Sequence, residues 1–338
     1  MTLDLRAGTT ILAVLVLLGA NAAQGPDGEQ EPEPVAETAE PLHFDRGEEL
    51  GFEVPAGEVL DYAITVKVSG LGESNPGTFQ LSAGVDLPSA SNASAAGRVG
   101  WFRARARAGV LNVRMDQLLE VRILPREWPH VIFRDTLSGT RNRRRELMYG
   151  RRDGEPTAWA RKDRHCAGCD AAEHQIEGGW PGAGRRHCTS CRRQEHRAWR
   201  PAETRVVPAN AVDCLSALYV ARSMVREGLH EVHFALLDRD RDWDVLLTLG
   251  EQSRISTPAG TFRCRAVKLS PMPPAGEHSE ERLQGLFGLQ GSLSLWMEER
   301  SGVLVRIEGV LPLGPLEVDA TFDLTAYSGT PTGFAPEE

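Results

Sequence analysis

A succession of short β-rich runs, joined by turn-forming residues, constrains this chain more than any other feature. Leu50, Phe52 and Val54 alternate with Gly51 and Glu53, which puts three apolar side chains on one face of a strand. The Pro55-Ala56-Gly57 turn follows, and 60–68 is β-rich again, as in a hairpin. Similar runs recur at 99–106, 231–237, 243–249, 261–269, 292–298, 303–311 and 316–324. Several of the later links are too short for anything but a tight turn: 238–242, Thr257-Pro258-Ala259-Gly260, Arg300-Ser301-Gly302 and 312–315. The expected fold is therefore all-β. It is an antiparallel meander curled into a barrel or a strongly curved sheet, because a sheet this long has to manage its edges.

One segment has a helical period instead. Asp213 is placed to cap a helix in which Leu215, Leu218, Tyr219 and Arg222 share a face, with Met224 and Val225 continuing it. Such a helix would plug or cover the sheet.

The ends and the middle differ from this body. Residues 1–22 have the pattern of a secretory signal peptide. Arg6 precedes an apolar stretch over 9–18, and Ala20-Asn21-Ala22 supplies small residues before a cleavage point at Ala23. The apolar stretch is shorter than the roughly 20 residues a spanning helix needs, so the mature chain is expected to be exported, with no transmembrane span. Residues 23–45 hold seven acidic residues, four prolines and no Lys or Arg, a composition expected to form a disordered tether. The β-domain is expected over 46–326, and a disordered tail over 327–338.

Within that domain, 139–205 carries 16 Lys+Arg against 9 Asp+Glu and is read as an inserted basic segment. Inside it Arg164-His165-Cys166-Ala167-Gly168-Cys169 runs on to Glu173-His174. The order returns 22 residues later as Arg186-His187-Cys188-Thr189-Ser190-Cys191, then Glu195-His196. Two Cys-x-x-Cys units 18 residues apart fit a four-thiolate zinc site, each unit turning two sulfurs toward one point. Cys166, Cys169, Cys188 and Cys191 are thus the candidate metal ligands. Export supplies a competing state, structural disulfides. Pairing within a unit would need a local turn, since an extended chain sets i and i+3 roughly 10 Å apart. A redox motif is the third alternative. His165, His174, His187 and His196 are read as flanking residues that could substitute as ligands. Cys214 and Cys264 are read as small buried hydrophobes or as a helix-to-sheet disulfide.

Gly47-Glu48-Glu49-Leu50-Gly51-Phe52-Glu53-Val54, Asp213-Cys214-Leu215-Ser216-Ala217-Leu218-Tyr219 and Thr257-Pro258-Ala259-Gly260-Thr261-Phe262-Arg263-Cys264 carry a family resemblance. With the strands around Trp296 and Arg306, the chain resembles an exported bacterial family known as domain-of-unknown-function family 3108. The resemblance spans roughly 46–325, with 139–205 interrupting it. It implies an antiparallel β-barrel or curved sheet in the cell envelope, and no catalytic residues.

No Gly-x-Ser-x-Gly, Walker loop or Rossmann glycine pattern occurs in the sequence. Asp238, Asp240 and Asp242 begin like a calcium loop, but Trp243 and Leu249 stand where glycine and glutamate are needed. The function expected is that of a non-enzymatic envelope protein with a binding or scaffold domain and a zinc-bearing insert. Its partner would be an apolar or glycan ligand, and not nucleic acid. A metal or redox sensor and an envelope enzyme with a site in the sheet mouth are the alternatives. Arg141, Arg143, Arg144 and Arg145 read as a solvated strand edge, with contact to anionic lipid as the functional alternative.

The net charge of −9 divides unevenly. The signal segment contributes 0, the tether −7, the basic segment +7 and the remainder −9. Opposite and equal charges predict that the tether folds back onto the basic segment at low salt. Removing 23–45 should then increase sedimentation of the mature chain with anionic vesicles at low ionic strength. Unchanged sedimentation would exclude the contact.

Overall fold

The computed structural model describes residues 54–68, 72–86, 99–110, 113–124, 127–139, 143–163, 176–177, 187–188, 202–238, 241–272, 283, 286–313 and 316–337. The signal segment and the tether lie outside the described residues.

The strands appear in order as β1 (Glu58–Val68), β2 (Gly72–Asp86), β3 (Val99–Val110), β4 (Val113–Leu124), β5 (Glu127–Gly139), β6 (Arg143–Arg152), β7 (Glu155–Asp163), β8 (Ile176–Glu177), β9 (His187–Cys188), β10 (Glu203–Val206) and β11 (Ala211–Asp213). Helix α1 (Ser216–Glu227) follows. Then come β12 (Glu231–Asp238), β13 (Arg241–Thr257), β14 (Gly260–Met272), β15 (Gln290–Glu298), β16 (Leu304–Leu313) and β17 (Leu316–Ser328). Fifteen of these strands form one sheet in the order β10-β7-β6-β5-β4-β3-β2-β1-β17-β16-β15-β14-β13-β12-β11. Every neighbouring pair among them is antiparallel except β11 with β12. The all-β expectation holds. The sheet is strongly curved but not closed, with β10 and β11 as its terminal strands.

The alternation of apolar and polar residues decides which face is inside. Leu60, Tyr62, Ile64 and Val66 of β1 are buried, while the positions between them are half-buried. Phe102, Ala104 and Ala106 do the same in β3, and Leu119, Val121 and Ile123 in β4. Around Phe79 of β2 the inner face packs aromatic rings edge to face. Its centroid lies 5.0 Å from Phe287 and 5.5 Å from Phe322.

This face wraps around α1. Ser216 through Val225 are all buried, so the helix is enclosed on every side rather than lying on a surface. It packs against β11–β14, stacks Tyr219 on Phe102 of β3 at 3.8 Å, and meets the β15–β16 turn, where a Cβ on Gly302 would come within 2.7 Å of the Arg222 carbonyl oxygen. Asp213 ends β11 two residues before the cap position, which is Leu215 and not Asp213 as expected, but its carboxylate holds the entry to the helix. Its Oδ1 accepts the N–H of Leu215 and of Ser216, and its Oδ2 accepts the Ser216 hydroxyl at 2.6 Å. Gly228 ends it with φ 68°, and the Leu229 N–H returns to the Met224 carbonyl.

An all-buried helix brought one charge inside. Arg222 Nη1 donates to both carboxylate oxygens of Glu58, at 2.8 and 2.9 Å, from a position where Glu58 is 1% exposed. Glu58 occupies the inward register of β1, two residues before Leu60. Burial pushes its carboxyl upward from the ordinary range, and Arg222 pulls it back.

Two stretches differ from the sequence reading. The sheet runs on into the segment read as an insertion. β6 pairs with β5, β7 with β6, and β10 with β7, so much of 143–163 is ladder. The arginines there divide between the two faces of the strands rather than forming a loop. The stretch after β17, expected to be disordered, packs back over the β13–β14 hairpin. Phe334 stacks on Phe262 at 5.0 Å, and Glu337 pairs with Arg254 at 2.8 Å.

The Glu58–Arg222 pair sets a stability prediction. Glu58→Ala leaves a buried guanidinium uncompensated and should cost about 3–5 kcal/mol in urea unfolding. Glu58→Met combined with Arg222→Leu should recover most of that. A loss below about 1 kcal/mol for the single variant would class the pair with solvent-screened ones.

Candidate functional site

Apart from Glu58 of β1 and Gln117 of β4, the described inner face is largely apolar from β1 to β4, and it turns polar where the two ends of the curl meet. Inward register carries the change. Val121 of β4 opposes Phe133 of β5, which opposes Leu147 of β6, and Leu147 opposes Ala160 of β7. One step along, the same face reads Leu119, Asp135, Arg145 and Lys162. Asp135 is buried, and it is held by three groups. Gln117 Nε2 donates at 2.9 Å, Arg143 Nη2 donates at 3.0 Å, and Arg145 Nε lies 3.9 Å away.

β11 and the entry to α1 bring Asp213 and Cys214 against this face, with β11 packing on β5. Arg205 of β10 reaches Asp242 of β13 at 2.9 Å, which ties one terminal strand to the other half of the sheet. Beside them Tyr149 of β6 packs on a small apolar cluster of Ala158, Val207, Ala211, Ala235 and Leu237. Residues from β7, from the β10–β11 link, and from β11 and β12 thus meet in one seam.

The electrostatics of the seam suppress nucleophiles. Burial drives the Tyr149 phenol well above its ordinary pKa, and Asp213, Cys214 and Asp242 add to this against the opposing Arg205. Burial likewise drives the Cys214 thiol well up, reinforced by Asp213, Asp238 and Asp135. Asp242 is raised by burial and restrained by Arg205. A thiol used as a nucleophile needs cationic neighbours that lower its pKa, and this one has three carboxylates around it instead. What the arrangement does chemically is join two ends of a sheet through arginine–carboxylate pairs.

The sequence-derived candidates fall elsewhere. Cys188 lies in β9, where the chain places it opposite Ile176 of β8, and His187 opposes Glu177. Cys166, Cys169 and Cys191 lie outside the described residues, as do His165, His174 and His196. Among the described residues no group of three His, Cys, Asp or Glu side chains converges as a metal site requires. Cys214 and Cys264 are free thiols, not partners in a disulfide. Cys264 is fully buried in β14, and burial pushes its thiol up to about 12.

Asp135, Tyr149, Arg205 and Asp242 were not singled out as a group from sequence. The available signal was register parity in β6. Arg143 and Arg145 share the inner face with Leu147, whereas Arg144 takes the outer one. A run of arginines that reads as one solvated cluster is thus divided between two faces. The Asp238–Asp242 stretch is a hairpin connection, with Asp238 opposite Arg241.

No family model matches this chain, and no curated protein matches it. A solved structure from Bacteroides fragilis, described as exported and as having a YmcC-like fold, is similar over 82% of this chain and 99% of that chain. Its sequence identity is 10% and its TM-score 0.31, a likeness too slight to transfer a property.

The seam predicts thiol chemistry directly. In the native chain at pH 7.5, Cys214 and Cys264 should resist maleimide, and both should label once urea unfolds the protein, as read by peptide mapping. Above the ordinary thiol range the sign is destabilising. The folded state keeps the Cys264 thiol protonated, so the stability it contributes is whole below the ordinary thiol range and declines as pH rises toward about 12, and the buried Cys214 thiol acts in the same direction. Rapid native labelling of Cys214 would mean an activated thiol and would overturn the reading of the seam.

Proposed function

We propose that this chain is an exported, non-enzymatic protein of the cell envelope, with the curled sheet as a binding or scaffold domain and a structural zinc in its Cys-rich segment. The observation that carries the non-enzymatic reading is the state of the seam. It is the polar stretch where the inner face of β5–β7 meets the opposite face of β12–β13, and its phenol and thiol are held protonated while Asp135 and Asp242 are engaged by arginines. Helix α1 lies against the inner face of the curl with Ser216 through Val225 buried. The outer face and the Cys-rich segment are the surfaces we assign to a partner.

The zinc reading rests on the donor set. Cys166, Cys169, Cys188 and Cys191 would hold the ion as four thiolates, which leave no position open for substrate, so the metal would supply folding energy to a segment of few apolar residues. An antiparallel ladder that ends at Cys188 suits the second pair, since it delivers the chain to the Cys-x-x-Cys turn in extended form. The export reading rests on the 1–22 pattern.

The test is to express the full chain, recover the mature form from the periplasm, and count both metal and thiols. The expected result is an amino terminus at Ala23, one zinc per chain, and four further thiols titrating after chelation. A chain retained in the cytosol with residues 1–22 attached would overturn export. A metal-free protein showing only the Cys214 and Cys264 thiols on unfolding would replace zinc with disulfides.

A further inference from the structure

The outer face of β3–β7 carries two transverse rows that a simple solvent face does not require. Directly opposed residues run Trp101, Arg122, Ile132, Met148 and Trp159 across the five strands. The next row on the same face runs Arg103, Glu120, Arg134, Glu146 and Arg161. Strands lie about 4.8 Å apart, so each row is about 19 Å long. A water-facing antiparallel sheet is ordinarily polar outward, whereas this row sets an isoleucine, a methionine and an indole side by side, with a second indole beyond Arg122, all four apolar side chains half-buried.

The charges are layered. Glu146 accepts from Arg134 at 2.7 Å and from Arg161 at 2.6 Å. Asp116 accepts from Arg105 at 2.6 and 2.8 Å and from Arg107 at 3.4 Å. Glu120 takes Arg103, and Asp86 takes Arg122. Six arginines therefore face four carboxylates. The carboxylate of Glu146 is 6% exposed beneath Arg134 at 51% and Arg161 at 39%, so guanidinium groups form the outermost layer. Trp101 is fixed in place. Its ring lies so close over Gly84 that a Cβ there would come within 2.4 Å of it, its indole N–H donates to Asp86 at 3.1 Å, and Arg103 sits 5.5 Å over the ring.

We infer that this outer face is a docking surface for an anionic phospholipid bilayer. The surplus of guanidinium is complementary to phosphodiester headgroups, which it grips in bidentate fashion. The adjacent indole and aliphatic row reaches the boundary of the acyl region, where tryptophan partitions. The inference deepens the envelope reading and rests on it for access to a membrane. The contact itself is a property of the sheet face and is measured separately.

The experiment uses the purified mature chain with phosphatidylcholine vesicles that contain or lack phosphatidylglycerol. Cosedimentation and tryptophan emission are read together. The wild-type chain should bind only the anionic vesicles, with a blue shift. Arg134→Gln with Arg161→Gln should weaken binding about 25-fold, at roughly fivefold per arginine. Met148→Ser with Trp159→Ser should weaken binding and reduce the blue shift, with Trp101 retaining the remainder. Both double variants must keep the wild-type circular dichroism, and a chain lacking 164–200 should still bind.

Equal binding to neutral vesicles overturns the inference, and so does binding unchanged in both double variants. Binding lost only when 164–200 is removed overturns it in favour of the Cys-rich segment. A wild-type chain that ignores vesicles but dimerises through this face, with the dimer abolished by Met148→Ser and Trp159→Ser, overturns it in favour of a second copy. Failure of export in the fractionation experiment leaves the vesicle result standing, so the two readings fail separately.

Discussion

A fifteen-stranded sheet with one apolar face has to bury that face, and this chain has a single described helix to bury it against. Curling follows from that shortage. The strands wrap α1 until β3, β11–β14 and the β15–β16 turn all touch it. The helix is then a core element, and its polar residues must be answered from the sheet. Arg222 finds Glu58 on the inward register of β1. Tyr62, two turns of the pleat further, donates to the Leu304 carbonyl at 2.8 Å and so links β1 to β16 across the interior. Neither charge of the ion pair would be tolerated there alone, so helix and first strand can adopt their positions only together.

Enclosing the helix also places side chains over the described inner face. A curled sheet suggests a cup, but the described interior is occupied by side chains of α1 and by the aromatic packing around Phe79. Polarity reappears in two places only because strands have two faces. On the inner face of β5, β6 and β10, Asp135, Arg143, Arg145 and Arg205 meet Asp242 from the opposite face of β13, in the seam that fastens the ends of an open sheet, a task closed barrels do with backbone hydrogen bonds. On the outside, the same strands carry arginine over carboxylate beside a row of indoles.

Much of the fold was legible because apolar side chains with period two announce strands. The hairpin at Thr257-Pro258-Ala259-Gly260 and the turn at Ser301-Gly302 stand where the residues suggested, and Gly302 has the positive φ, 65°, that its position demands. Asp213 serves the helix from two residues before its cap position. β2 and β4–β7 were passed over, since Pro76, Gly77 and several arginines lower the local β signal in these strands. Pairing with both neighbours supplied what propensity lacked. The C-terminal return is anchored by one phenylalanine and one glutamate, too little to stand out in composition. The metal candidates were legible by spacing, and register adds that Cys188 ends a short ladder.

By itself the sequence determined the fold class, the place of the helix, the turns, and the paired cysteines, because each depends on neighbours within a few residues. The tertiary structure decided which face each arginine takes, that Arg222 meets Glu58, that Cys214 and Cys264 stay apart, and that the ends of the sheet meet in a polar seam. Those outcomes depend on register between strands far apart in the chain. A shift of one residue exchanges the two faces of a strand, and no local pattern records which register the curled sheet selects.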